Sequence, residues 1–377
     1  MNSAAKRPLP HIPELDGLRG IAALMVLCHH LFFTSIPSPE RWPAPVALLS
    51  VLSHAGGNGV DLFFVLSGFL ITSLLVLDRP RPNRPSPYFY WNFYWKRVLR
   101  ILPLYLVALA LLLVFTPGAW PYALLSLLFL ANFSQLFHIV SAGPFWTLAI
   151  EEQFYLLWPR CVRGLTLRGL ERLSLAIILA CPVLRLADVA IHHYNFLFTF
   201  FHCDGLALGS LLACQQLRPR TAGERKTSVP PVLLLALVLT AAPFAFPFET
   251  AAWHCAVALQ LSGISLLCYG IVALMVRHTG SPVLAVFRCR ALTFFGLISY
   301  CLYLANDYVV RIYDHLRGPL PTGDMAQYAL RAAAVFAATL LICILSRYLI
   351  ELPAQSLRRH VLRRDLPDST AAPPPHR

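Results

Sequence analysis

The sequence predicts an all-α fold, a polytopic transmembrane helix bundle of about ten spanning helices plus one re-entrant or interfacial segment. Three observations carry that expectation. The 377 residues are 57% hydrophobic and only 13% charged, where soluble domains carry about 25% charged residues. Mean hydropathy is +0.62. The apolar residues also come in runs near the length of about 20 that a bilayer-crossing helix needs. The roughly ten-residue alternation of an outer-membrane barrel is not seen.

The runs lie near 18–36, 58–77, 98–116, 121–139, 144–162, 173–191, 197–217, 229–247, 251–276, 292–312 and 326–350. The first follows Lys6 and Arg7 and continues to Phe33 without a small-residue cleavage pattern, so it reads as a retained helix, not a removable signal. Basic residues cluster between the runs. Arg79, Arg81, Arg84, Lys96 and Arg97 form one group, and Arg160, Arg163, Arg168 and Arg172 the next. Arg218, Arg220, Arg225 and Lys226 follow, then Arg277, Arg288 and Arg290, and finally Arg358, Arg359, Arg363 and Arg364. The positive-inside rule then places both termini in the cytoplasm. The same threading puts 116–120 and 140–145 on one outer side. The run 121–139, with Asn132, Ser134, Gln135 and His138, is therefore not a simple span. Irregular backbone at membrane depth must be buried in protein or line a cavity.

This clustering also disposes of other classes. A net charge of +13 belongs to loops between spans, and no basic, aromatic-laced face suits nucleic acid. The ten cysteines are scattered without a C-x-x-C pair, so neither a zinc site nor a disulfide framework follows, and no metal is expected. No internal repeat is visible. The organisation reads as one transmembrane domain over 1–355 and a basic, proline-rich cytoplasmic tail over 356–377.

Against this apolar background a few polar residues need a reason. His30 lies eleven residues after Arg19, about three helical turns plus 20°, so the two share a face roughly 16 Å apart. His29 points about 80° away from Arg19 by the same arithmetic. Ionisable residues at such depth usually line a cavity or pathway. The plainer alternatives are a snorkelling Arg19 and a packed His30. Arg97 and Arg100 are three apart and share a helix face, suiting either a positive-inside anchor or a phosphate clamp. Glu151 and Glu152 lie in the middle of an apolar run and differ by about 100° in direction; buried acids of this kind need a cation or hydrogen-bond partner. Asp61 opens its helix, where it complements the dipole or reaches His30 and orients the ring. Ser67 and Gly68 suit close helix packing.

Together these stretches resemble the acyltransferase-3 family of integral-membrane O-acyltransferases, which modify bacterial surface sugars, nodulation factors and some antibiotics. "LDGLRGIAALMVLCHH" is similar to the family's first-helix pattern, a basic residue and then His, here Arg19 and His30. "GVDLFFVLSGFLIT" resembles the second signature, and "RVLR" the R-x-x-R pattern through Arg97 and Arg100. "WTLAIEEQFYLLWP" is similar to W-S-L-A-V-E-E-Q-F-Y-L-L-W-P, with Thr147 for Ser and Ile150 for Val. "ISYCLYLAND" resembles S-Y-S-L-Y-L-x-H except that Asn306 stands where many members carry His, and "IELPAQ" resembles the closing E-x-P. The likeness runs over roughly 14 to 355, without the hydrolase-like domain that some members add.

The resemblance implies transfer of an acyl group, acetyl first, from cytoplasmic acyl-CoA to a hydroxyl of a saccharide or glycolipid acceptor. Acyl-CoA is then a donor co-substrate, with no tightly bound cofactor. Arg19, Arg97 and Arg100 would hold the donor's phosphates, and His30 would be the general base. Glu151, Glu152 and Asp61 would support that base, Glu151 by stabilising the imidazolium or fixing its tautomer. An acyl-histidine relay stays open. The competing expectation is a proton-coupled transporter using the same His and Glu residues, whose usual sign, paired broken helices in an inverted repeat, is not found.

Overall fold

The computed structural model describes residues 11–33, 53–79, 86–140, 143–191, 196–219, 228–318 and 325–357. The basic tail beyond 357, together with Lys6, Arg7, Arg81, Arg84, Arg220, Arg225 and Lys226, lies outside the described residues. Every described element is helical. In chain order the α-helices are α1 (Pro13–Cys28), α2 (Gly59–Leu77), α3 (Ser86–Phe115), α4 (Trp120–Leu127), α5 (Phe145–Gly164), α6 (Leu167–Ala190), α7 (Thr199–Leu217), α8 (Val229–Ala241), α9 (Ala251–Arg277), α10 (Arg290–Arg317) and α11 (Met325–Ser346). Two π-helical turns, His29–Phe33 and Arg347–Glu351, prolong α1 and α11.

All ten runs expected to cross the membrane carry an α-helix. Six helices among the described residues are long and apolar enough to span by themselves, and seven if the 3₁₀ turn Pro282–Arg288 and α10, bent by 49°, make one broken span. The count on that basis is thus below ten. α5 falls short because it carries Glu151, Glu152, Arg160 and Arg163, and α7 because it carries His202, Asp204, Gln215 and Gln216. α8 has only 13 residues. α7 can afford its polarity: it is buried along nearly its whole length, so protein, not lipid, surrounds it. Lipid-type surface appears instead on α3, α6, α8 and α11, where Val114, Leu179, Leu234 and Leu341 are exposed.

Run 121–139 is broken, as its polarity requires. α4 ends at Leu127, Phe129 takes a positive φ of 55°, and a 3₁₀ turn follows at Ala131–Phe137. Its Phe129 carbonyl and Asn132 side chain are answered from within the bundle. Gln153 Nε2 donates to the Phe129 carbonyl at 2.7 Å and to Asn132 Oδ1 at 2.9 Å. Asn132 Nδ2 donates to Thr199 Oγ1 at 2.9 Å, and the Thr199 hydroxyl donates to Gln153.

Two backbone-to-backbone crossings organise the bundle. α1 crosses α10 where a Cβ on Gly296 would lie 1.9 Å from the Asp16 carbonyl oxygen, and one on Gly20 2.2 Å from that of Leu292. α2 crosses α7 in the same way: a Cβ on Gly68 would sit 2.0 Å from the Leu206 carbonyl oxygen, and one on Gly209 2.0 Å from that of Val65. Gly68 therefore packs as its small size suggests. Hydrogen bonds then pin α5 onto the second crossing, from Trp158 Nε1 to Thr72 Oγ1 at 2.7 Å and from Thr72 to Ser210 Oγ at 2.8 Å.

Buried charges are paired across helices. Arg185, with no exposed surface, donates to Asp204 Oδ2 at 2.8 Å, to the Phe201 carbonyl at 2.6 Å and to Ser262. Glu14 accepts from Arg288 at 2.7 Å and from the Gly280 amide at 2.8 Å. Pairing offsets the cost of burying each charge.

Candidate active site

The expected site residues fall into two groups along α1. The first is built around Arg19, whose Nη2 donates to Ser299 Oγ on α10 at 3.1 Å. From α5, Glu151 Oε1 accepts from Ser67 Oγ on α2 at 2.9 Å. Tyr155, four residues after Glu151, lies on the same helix face. Glu152 points elsewhere, as adjacent helical residues must, and meets Arg97 Nη1 of α3 at 3.9 Å. The Arg97 guanidinium also lies 3.4 Å over the Tyr155 ring centroid, a stacked cation–π contact.

Arg100 completes this group. It feels the positive charges of Arg19 and Arg97 and the negative charge of Glu351. It is nonetheless exposed, with no side-chain hydrogen bond among the described residues. Arg19, Arg97, Arg100, Glu151 and Glu152 therefore do come together, from four helices counting Ser67 on α2. Glu351, from the π turn after α11, sits within electrostatic reach of both Arg19 and Arg100. The cluster mixes signs. Arg97 is engaged by Tyr155 and Glu152.

The second group is the π turn at the end of α1. His30 Nδ1 lies 3.0 Å from the Val26 carbonyl oxygen. A carbonyl only accepts, so Nδ1 carries the hydrogen and the neutral ring presents Nε2 as its basic nitrogen. His29 turns away: its ring stands at 80° to that of His30, its Nδ1 donates to the Ser53 carbonyl at 3.1 Å, and it packs against Gly57.

The three expected supports of His30 are placed in other contacts. Glu151 and Glu152 are held in the arginine group, and the His30 ring donates to the Val26 carbonyl. Asp61 feels Asp204 and Arg185, the buried pair on α7 and α6. It lies about 120° around α2 from Ser67 by helix geometry. Ser67, expected to serve packing, is instead a hydrogen-bond donor to Glu151. Sequence reading also passed over Ser299, Tyr155 and Glu351 as site members. Tyr155 was within reach, since its spacing from Glu151 is helical; Ser299 is 280 residues from Arg19 and only folding joins them. Asn306 is fully buried, with Nδ2 donating to the Leu302 and Tyr303 carbonyls at 2.8 and 2.9 Å.

A polytopic helical bundle that gathers arginines and glutamates from three helices around Arg19, with a histidine in the π turn that ends its first helix, is a membrane protein with a polar cluster between its helices. The acyltransferase domain family matches residues 12–348, and the chain belongs to that acyltransferase-3 family. YrhL of Bacillus subtilis (strain 168) is 34% identical over 172 residues, 40% of this chain and 23% of its own length. The peptidoglycan O-acetyltransferase OatA of Listeria monocytogenes is 30% identical over 167 residues, 40% of this chain and 24% of that protein. The O-acetyltransferase OatA of Staphylococcus aureus is 29% identical over 202 residues, 49% and 30% of the two chains. The matched regions thus span less than a third of these relatives' own lengths. No solved structure matches the chain.

Proposed function

We propose that the protein transfers an acyl group, acetyl first, from acyl-CoA to a hydroxyl of a bacterial surface saccharide. The reading rests above all on one arrangement: an arginine group around Arg19 of α1 and a tautomer-fixed His30 in the π turn that prolongs α1, separated by roughly 16 Å of helix rise. A donor with phosphates at one end and a thioester at the end of an extended arm fits that spacing. Membership of the family supplies the acyl chemistry, and relatives bearing the name peptidoglycan O-acetyltransferase favour a peptidoglycan-type sugar as acceptor.

In this scheme Arg100, with Arg19 beside it, receives the donor phosphates. His30 Nε2 removes the proton from the acceptor hydroxyl as the oxygen attacks the thioester carbonyl. The new C–O bond replaces the C–S bond, and the departing thiolate takes the proton back from the imidazolium. Glu151 and Glu152 hold the charge balance of the arginine group. Asp61 acts at a distance, through the Arg185–Asp204 pair that packs α6 and α7 behind α2.

The test uses purified protein in liposomes with acetyl-CoA and soluble muropeptide fragments. Acyl transfer releases CoA thiol in a one-to-one ratio with acetylated sugar. Proton movement across the liposome without thiol release would favour the transporter reading instead.

The arginine group yields a sharper expectation. Arg100→Met should raise the dissociation constant for acetyl-CoA roughly ten- to hundred-fold, the usual effect of losing one charge-assisted contact, with little change in saturated turnover. Arg100→Lys should recover only part, because the ammonium lacks the bidentate fork. Arg97→Met should lower turnover as well, since it also removes the stack on Tyr155 and the partner of Glu152. Calorimetric titration of acetyl-CoA into detergent-purified variants reads the first effect. Unchanged affinity in Arg100→Met would take the donor phosphates away from this group.

A further inference from the structure

At the end of α1 the π turn His29–Phe33 is held by a residue that no sequence motif marks. Arg331 of α11 is 1% exposed, which for a guanidinium demands compensation. Asp314 of α10 supplies it through two parallel hydrogen bonds, from Arg331 Nε to Oδ1 and from Nη2 to Oδ2, both 2.7 Å. This is the bidentate fork geometry that makes arginine–carboxylate pairs strong and directional. The remaining terminal nitrogen, Nη1, donates to the Leu31 carbonyl at 3.0 Å. Leu31 is the residue next to His30 within the π turn.

We propose that Arg331, fixed by Asp314, is a positioning residue for His30. It is a clamp on the π turn that sets the direction of the imidazole. The inference builds on the reading of His30 as the base. The geometry supports it in two respects. A π turn departs from the regular hydrogen-bond ladder and recurs at functional sites, so its register needs an outside hold. The His30 ring in turn depends on that register, because its Nδ1–H reaches back to the Val26 carbonyl at 3.0 Å. Releasing the Leu31 carbonyl lets the turn relax toward α-helical register and swings the ring off its acceptor. A pair that merely knitted α10 to α11 would need no third hydrogen bond to α1.

The experiment combines ring spectroscopy with kinetics. In protein labelled with ¹⁵N-histidine, the His30 resonances are those missing from His30→Ala. In the unaltered protein the two ring nitrogens should be well separated, with Nδ1 protonated. In Arg331→Lys, and in Asp314→Asn, they should move together as the tautomer is no longer fixed. The same variants should lose turnover roughly ten- to hundred-fold, as displaced catalytic groups do, while KM for acetyl-CoA stays within about two-fold, since the arginine group lies far from the clamp by helix rise. The exchanged pair Arg331→Asp with Asp314→Arg should restore thermal stability but not turnover. Should Arg331→Lys fail to fold, Asp314→Asn gives the same readouts from a side chain that is 40% exposed. Ring nitrogens unchanged in the folded variants, or turnover restored by the exchanged pair, would overturn the clamp. Retained turnover in His30→Ala would instead remove His30 as the base, and the ring signals would still decide whether Arg331 holds it.

Discussion

Replacing His30 with Ala should reduce acyl transfer by about 10²–10⁴-fold, the range that a general base contributes, while the protein still inserts and folds. His29→Ala should cost only a few-fold. The two imidazoles are adjacent in sequence and both donate Nδ1–H to a backbone carbonyl, so neither chemistry nor depth separates them. Direction does. The His29 ring stands at 80° to its neighbour and lies against Ser53 and Gly57, with His54 at 6.4 Å between ring centroids. The measurement is CoA thiol release under saturating acetyl-CoA, alongside detergent melting curves for each variant. Equal loss in both variants with unchanged melting would reject the assignment of the base to one face of the turn.

The second large effect concerns the fold. Gly296→Ala and Gly209→Ala should each destabilise the protein severely, beyond the roughly 1–3 kcal/mol usual for overpacking, and lower the yield of monodisperse protein in detergent. The new methyl groups would lie 1.9 Å from the Asp16 carbonyl oxygen and 2.0 Å from that of Val65. Backbone cannot rotate away as a side chain can, so the whole helix must shift. In a bundle where apolar burial does not drive helix against helix, close backbone approach supplies much of the attraction. Separating α1 from α10 would also pull Arg19 off Ser299. Gly164→Ala is the control: a Cβ there meets nothing within 4 Å, and the helical end should tolerate it or gain about 0.5–1 kcal/mol. Equal melting temperatures for Gly296→Ala and Gly164→Ala would show that the α1–α10 crossing yields readily.

Much of this protein was legible along the chain, because bilayer-sized apolar runs leave few alternatives to helices. The broken run 121–139 could be read from its own polar residues, since unsatisfied groups cannot face lipid. Within a single helix, spacing was equally informative. Three residues put Arg97 and Arg100 on one face of α3, whereas the eleven-residue spacing of Arg19 and His30 crosses from α1 into the π turn, where α-helical arithmetic no longer holds. Periodicity ends at the helix boundary, however. That Glu151 would find Ser67, that Arg97 would lie over Tyr155, or that Asp61 would join Arg185 and Asp204 depends on which faces meet. Those faces are set by glycine crossings whose register no local pattern encodes. The orientation of His30 belongs to the same class. A π turn, a backbone carbonyl four residues back and a buried arginine 300 residues away direct the ring, and only the folded chain brings them together. Sequence alone determined a helical membrane protein of the acyltransferase-3 family; tertiary structure decided which charges pair across the bundle, because those pairings depend on contacts between helices, not within them.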